Sequence, residues 1–270
     1  MRNICTFSCF ILVSSIQSNS QVKPKDVDLI FSRTHYSFTI IPFLDQKASI
    51  TRNIDKYWIH ATIMHGFEAG FSRYSHFDKE HSLIIGLFFG AFARNFNYDI
   101  PGKEFNPPHN GNFSANSAVT REFNFMGSIP ILFEKRWIKQ ANKYWNVNAG
   151  ITIRYTPSLD EEFGGAIGGQ PDFIDMQIND NYTKKPWLNF NIGGGYCWIL
   201  GNNNIFKTNM VVNWSFTSFL RGTYQFNFPN QPTVEGIYEV NGSNVGLSLS
   251  YIFTRSNKKQ NKEQENKKAF

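Results

Sequence analysis

The chain has 270 residues, of which 16% are aromatic and only 18% are charged, whereas a typical globular chain is about 25% charged. No run of 18 apolar residues occurs, which excludes a bundle of membrane-spanning helices, and the many aromatic residues exclude wholesale disorder. The formal net charge is +6, but residues 256–270 hold five Lys against two Glu and the body carries no basic stripe, so we expect no nucleic-acid partner.

Residues 1–20 have the three parts of a secretory signal peptide. Arg2 supplies the positive charge, residues 4–13 form a short apolar stretch, and small residues precede the predicted cleavage point. We predict that residues 1–20 are removed and that residues 21–35 form a periplasmic lead into the folded part. The alternative is a buried segment at the start of a cytosolic domain. Both cysteines of the signal would be lost, which leaves Cys197 alone and predicts no internal disulfide.

Apolar and polar residues alternate through eight segments of the remaining chain, the pattern of β-strands with one apolar face. In the last segment, for example, Val245, Leu247 and Leu249 alternate with Gly and Ser. The predicted strands, in chain order, are 36–42, 61–73, 82–95, 123–133, 146–155, 188–200, 206–216 and 244–255. Most are longer than the five or six residues that are typical of soluble strands, and they match the roughly 9–11 residues of a tilted strand that crosses a bilayer.

The connections between these strands alternate in length, roughly 18–32 residues and then roughly 5–12 residues, with boundaries uncertain by a few residues. Outer-membrane barrels show this alternation, with long extracellular loops and short periplasmic turns. Both termini would then lie in the periplasm. We expect residues 96–119, 158–185 and 220–242 to be the most prominent loops, and residues 48–59 or 224–228 to be candidates for extra hairpins in the loops.

A sheet can cross a bilayer only if it closes, because every backbone polar group must be paired there. We therefore predict an all-β fold: a closed eight-stranded antiparallel transmembrane β-barrel over residues 36–255, followed by a polar basic periplasmic tail at 256–270. Eight strands enclose a lumen that side chains can fill, and Gly, Asn and Ser on the inner faces suit it. Aromatic residues near strand ends suit the girdles at the membrane surfaces: Trp58, Tyr74, Trp137, Tyr144, Trp145, Trp187 and Trp198.

Three strands carry a family resemblance. Residues 125–133 (FMGSIPILF) contain an Ile-Pro pair followed by apolar residues, and residues 148–155 and 245–253 end in an aromatic residue. With these features the sequence resembles the family of small bacterial outer-membrane β-barrels of OmpX/OmpA-like architecture, including PorT-like members. The resemblance implies a Gram-negative outer membrane and assembly by the barrel-assembly machinery, but no single activity. Such barrels often end with an aromatic residue of the last strand, whereas here a polar tail follows that strand.

Five charged residues fall on the predicted inner faces of the strands: Glu68, Arg94, Glu134, Arg154 and Lys207. One hypothesis is a polar pathway through the barrel. The other is a network of ion pairs that fills the lumen and satisfies its buried charges. Because eight strands leave little room for a continuous channel, we favour the filled lumen.

Catalytic and metal-binding alternatives rest on few residues. An enzymatic barrel would need a histidine close to a serine or aspartate. The close His/Ser pairs in the sequence are His35 with Ser37 and His81 with Ser82. The turn at 76–81 has metal-type ligands, and acidic residues in 158–185 could take calcium. A solvated turn and a solvated acidic loop explain these segments as well, so we expect no enzyme activity, metal or cofactor.

The sequence therefore predicts a non-enzymatic, porin-like integral protein of the outer membrane, which anchors surface loops for binding or for envelope integrity. Its expected partners are outer-membrane lipids, the barrel-assembly machinery and an extracellular ligand held by the long loops. The alternatives are a narrow pore or transport barrel, a secretion-accessory barrel and a lipid-modifying enzyme. A soluble lipocalin-like barrel would need the large apolar residues inside, on the faces that carry Gly, Asn and Ser.

Overall fold

A computed structural model describes the following parts of the chain: residues 30–45, 48–52, 59–61, 65–93, 96–104, 108, 110–116, 123–140, 142–157, 161–167, 174–183, 185–201, 203–227 and 232–254. The predicted signal peptide at 1–20 and the predicted tail at 256–270 lie outside these residues. No helix in the described ranges is long and apolar enough to span a membrane.

The described residues form sixteen strands and one turn of 3-10 helix at Gly102–Glu104. The strands are β1 (His35–Asp45), β2 (Ser49–Arg52), β3 (Ile59–Ala61), β4 (His65–His76), β5 (His81–Ala93), β6 (Phe96–Pro101), β7 (Asn112–Asn116), β8 (Phe123–Gln140), β9 (Lys143–Tyr155), β10 (Glu161–Ile167), β11 (Ile174–Tyr182), β12 (Trp187–Ile199), β13 (Ile205–Ser215), β14 (Leu220–Asn227), β15 (Val234–Val240) and β16 (Asn244–Phe253).

Eight of these strands close into an antiparallel barrel in the order β1-β16-β13-β12-β9-β8-β5-β4. The first and last strands complete the ring, with Tyr36 opposite Phe253 and Leu44 opposite Val245. This confirms the predicted eight-stranded closed barrel. The largest difference in strand length is β8, which runs on to Gln140, because its alternation continues through the charged residues that follow Phe133.

The outside of the barrel is apolar, and its interior holds buried polar residues together with an apolar cluster at one end. On β1, Tyr36 and Phe38 are exposed whereas Ser37 and Thr39 are buried. The same alternation recurs on the other barrel strands, as the sequence pattern predicts. The exposed apolar residues at its centre include Phe71, Leu87, Phe89, Ile129, Ile151, Phe190, Ile192, Met210, Val212 and Leu247.

Three of the residues predicted for the aromatic girdles do not lie on the outer surface of the barrel. Tyr74, Tyr144 and Trp187 are buried, at 2–5% exposure, because strand parity turns them into the ends of the lumen. Trp137 and Trp145 are exposed, as expected for a girdle. Trp58 lies outside the described residues.

The two ends of the barrel differ. At one end, short turns join β4 to β5, β8 to β9 and β12 to β13. At the other end the connections contain the remaining strands, which pair into a five-stranded sheet, β10-β11-β14-β15-β2, and a three-stranded sheet, β3-β6-β7. We call the five-stranded sheet the outer sheet. The candidate segment around 224–228 lies in β14, which forms a hairpin with β15 of its own connection and also pairs with β11 of another. The candidate segment at 48–59 contains β2, which pairs with β15 of a different connection.

Candidate functional site

The lumen holds an ion cluster near the end with the short turns. Lys207 contacts the Glu134 carboxylate, and Arg136 Nη1 lies 3.4 Å from the other oxygen of the same group. All three side chains are buried. Lys207 also donates to the Tyr74 hydroxyl at 3.4 Å. Two cations therefore face one carboxylate, which compensates its charge inside the barrel.

A second ion pair lies near the opposite end of the lumen. Arg154 Nη2 is 3.1 Å from Glu68 Oε1, and both side chains are at most 5% exposed. Asp45 lies on the same inner face and interacts with Arg154. Arg154 also donates to the carbonyl oxygen of Gly242 at 3.3 Å, which ties the barrel wall to the connection before β16.

Asparagine side chains form two hydrogen-bonded groups in the lumen. Asn146 and Asn209 exchange two hydrogen bonds of 3.0 and 2.9 Å, and Asn213 accepts from Asn191 at 2.7 Å and donates to Asn244 at 2.8 Å. Between the ion pairs remains a cavity of about 50 Å³. Such a volume has room for a few water molecules and is too small for a solute channel.

Aromatic residues close the end of the barrel that carries the outer sheet. Phe219 stacks on Trp187 with ring centroids 4.9 Å apart, and its edge meets Phe92 at 5.4 Å. The backbone at Gly242 lies over the same place, since its carbonyl also accepts from Asn189 at 3.1 Å. Residues of four elements therefore cover this mouth.

A short segment before β1, residues 30–34, closes the other mouth, and we call it the plug. Phe31 is 2% exposed, with the Arg136 guanidinium 4.3 Å from its ring centroid. The rings of His76 and Tyr144 each meet it edge-on at 5.5 Å. The carbonyl oxygen of Ile30 lies 2.5 Å from His35 Nε2. The plug is thus held by both cation–π and aromatic contacts.

The structure places four of the five predicted lumen residues in two pairs, Glu68 with Arg154 and Glu134 with Lys207. The fifth, Arg94, lies outside the described residues. Sequence reasoning missed Arg136, because strand β8 was predicted to end before it. The available signal was its spacing, since a residue two positions after Glu134 shares the inner face of a strand.

Arg136 also fixes the turn between β4 and β5. Its guanidinium donates to the carbonyl oxygens of Asp78, Lys79 and His81 at 3.1–3.3 Å. In that turn the Asp78 carboxylate accepts from the backbone N–H groups of Glu80 and His81, each at 2.6 Å. The hydrogen bond from the His81 ring holds the pKa of Asp78 down to about 2. These contacts engage the side chains of Asp78 and His81 within the turn.

The residues considered for catalysis or metal binding make other contacts in the structure. His35 contacts the plug, and Ser82 donates to Glu134 at 3.5 Å. No group of three or more His, Cys, Asp or Glu is placed to hold a metal ion within the part of the chain that the structure describes. The acidic loop at 158–185 is described only in part.

The outer sheet carries a polar concavity of about 510 Å³, which we call the outer groove. Its exposed face is built from two rows of side chains that run across neighbouring strands. The registers place Asn179, Thr223, Ile237 and Thr51 in one row and Gln177, Gln225 and Glu235 in the other. Arg52, Tyr224 and Gly236 complete the lining. Amide and hydroxyl groups dominate this surface.

Among solved structures, the chain is similar to three barrels. The outer membrane protein OprG from Pseudomonas aeruginosa is 9% identical, with a TM-score of 0.39 over 82% of this chain and 96% of that chain. The outer membrane protein AlkL is 14% identical, with a TM-score of 0.38 over 82% and 90%. The β domain of the Bordetella autotransporter BrkA is 11% identical, with a TM-score of 0.29 over 82% and 99%.

No protein-family model matches the chain, and a comparison with curated protein sequences finds no match. The assignment of the fold therefore depends on the strand pairing of this chain itself, which closes the ring between β1 and β16.

Proposed function

We propose that the chain is an integral outer-membrane protein whose barrel anchors the outer sheet at the cell surface, where it binds an extracellular ligand without catalysing a reaction. The observation that carries the proposal is the inside-out distribution of side chains. Large apolar residues cover the outside of the barrel, while Asn, Ser, Thr and ion pairs line much of its interior, together with an apolar cluster at the plug end. In water, such a continuous apolar surface would promote association, whereas lipid chains bury it.

The lumen supports an anchor over a pore. Ion pairs and an asparagine ladder fill the interior, aromatic residues cover both mouths, and the cavity between them measures about 50 Å³. A solute would have to displace paired charges to cross. The connections at one end instead form folded sheets, so the accessible polar surface lies there. Surface connections on a rigid scaffold are the usual carriers of binding.

The first test is the behaviour of the expressed chain on a gel, with and without boiling, after cell fractionation. We expect it in the outer-membrane fraction, with a faster-moving unboiled band that reflects a closed barrel resistant to detergent. Recovery in the soluble periplasm with no mobility shift would contradict the membrane location. Reconstituted protein should give no steady conductance; stable openings that change in an Arg154→Ala variant would instead establish a pore.

A matched pair of variants sharpens this test. Leu87 is half-exposed at the middle of β5, and Phe77 is exposed in the turn after β4. Leu87→Arg should destabilise the barrel by about 2–4 kcal/mol if lipid covers this position. A solvated surface would tolerate the change within about 0.5 kcal/mol. Phe77→Arg is the control and should leave assembly unchanged, as the heat-dependent gel shift reports.

A further inference from the structure

The outer groove is lined mainly by neutral polar side chains. Of the seven side chains in its two rows, three are amides and two are threonine hydroxyls, with Glu235 as the carboxylate and Ile237 as the apolar member. Gln177, Asn179 and Gln225 are half-buried, so the amides form the floor and not a flexible fringe. The groove therefore offers many neutral donors and acceptors on a fixed base.

The spacing of these groups is set by the sheet. Asn179, Thr223, Ile237 and Thr51 lie on four successive strands, and neighbouring strands are about 4.8 Å apart. The second row, with Gln177, Gln225 and Glu235, lies two residues further along the same strands. Taken together, the two rows place a polar side chain on each of the four strands, at intervals of about the width of one sugar ring.

The charge and shape of the groove exclude other ligand classes. A single carboxylate and the Arg52 cation do not make the cation cluster that a nucleic acid or polyphosphate needs. With Ile237 as the one aliphatic side chain in the two rows, the groove offers little apolar surface, and covering its polar groups with an apolar ligand would cost free energy. A peptide strand would pair at a sheet edge, whereas this groove lies on a face.

We propose that the outer groove binds a neutral oligosaccharide. This inference rests on the proposed function, because it requires the outer sheet to face the outside of the cell. Amide side chains donate and accept at once, as adjacent sugar hydroxyls do, and the volume of about 510 Å³ falls in the range of roughly 300–1,000 Å³ that small-ligand sites occupy. Asn179 and Gln225 form hydrogen bonds to the sugar from the floor of the groove. The Gln225 amide is oriented by the bond that its Nε2 donates to Asn227 Oδ1 at 3.0 Å. Thr51 and Thr223 form hydrogen bonds from exposed positions.

The test measures binding of maltotriose, cellotriose and chitotriose to the full-length barrel in detergent, by titration calorimetry and by saturation-transfer NMR. At least one of the three should bind, and an Asn179→Ala/Gln225→Ala double variant should weaken that binding roughly a hundredfold, since each lost polar pair costs about tenfold. Arg221→Ala is the matched control. Arg221 lies on the same strand and face as Gln225, is exposed and does not line the groove, so its loss should leave binding unchanged.

Three outcomes would overturn the inference: no binding of any of these sugars, equal binding by the double variant, or an equal loss in the Arg221→Ala control. The gel shift on boiling is measured on every variant, so a failure to fold is seen directly. A protein that shows the shift in the outer membrane but binds no sugar refutes the oligosaccharide site alone. A protein without the shift refutes the proposed function itself.

Discussion

At the residue scale, the lumen shows how an apolar-coated barrel accommodates charge. The buried Glu68 carboxylate has one cation within 3.5 Å, and Glu134 has two. Charges placed in a low-dielectric interior are tolerated only when they are paired and hydrogen-bonded. Arg136 makes three kinds of contact. Its guanidinium pairs with Glu134, donates hydrogen bonds to the turn at 78–81 and lies over the Phe31 ring.

The pairing of Glu68 with Arg154 makes a prediction about stability. Arg154→Ala leaves Glu68 and Asp45 as buried carboxylates without this cation, so the free energy of unfolding should fall by about 3–5 kcal/mol. Urea titration of the barrel in lipid vesicles, followed by tryptophan fluorescence, measures the loss. The double variant Glu68→Leu/Arg154→Met removes both charges and should recover most of it. An unchanged midpoint in the single variant would show that water already screens the pair.

At the element scale, strand parity assigns most side chains to their environment. Period-2 alternation predicts Asn146 and Asn148 in the lumen and Val147 outside. In the structure both asparagines are buried and Val147 is exposed. Parity also explains why the girdle prediction for Tyr144 was wrong. An aromatic residue near a strand end suggests a girdle, but the position of Tyr144 in the alternation turns its side chain into the lumen. The plug has no periodicity, so its place in the mouth could not be read from the strand pattern.

The plug predicts a change in accessibility. Cys197 is fully buried in the same cluster as Phe31, so it reports on the seal at this mouth. With Cys5 and Cys9 replaced by serine, Phe31→Ala should speed labelling of Cys197 by a water-soluble maleimide by roughly tenfold or more, because local opening then costs less. Phe77→Ala, at the same end but exposed, is the control. Equal rates for all proteins would show that the plug does not limit access.

At the scale of the whole molecule, the barrel and the outer sheet have different origins. Each barrel strand pairs with neighbours that close a ring, whereas the outer sheet collects strands from three separate connections: β2, the pair β10 and β11, and the pair β14 and β15. The barrel therefore carries its own complete set of hydrogen bonds. The outer sheet depends on the barrel to bring its three parts together.

This division predicts that the barrel survives the loss of one connection. Replacing residues 220–240 with a short Gly/Ser linker removes β14 and β15, the centre of the outer sheet, but keeps Phe219 and Gly242 at the mouth. The gel shift on boiling should persist, because surface connections contribute little to closure of the ring. Protease digestion of whole cells should then cut the remaining outer strands faster than it cuts them in the wild type. Loss of the gel shift would show that the outer sheet is needed for closure.

The sequence alone determined the barrel, its strand number and most of the residues that face its interior, because alternation with period two is a local property of each strand. It also pointed to Glu68, Glu134, Arg154 and Lys207 as lumen residues. Only the tertiary structure decided which charges pair, that Phe31 enters the mouth, and that segments from three connections form one sheet. These features depend on contacts between residues far apart in the chain, where no local periodicity specifies the partner.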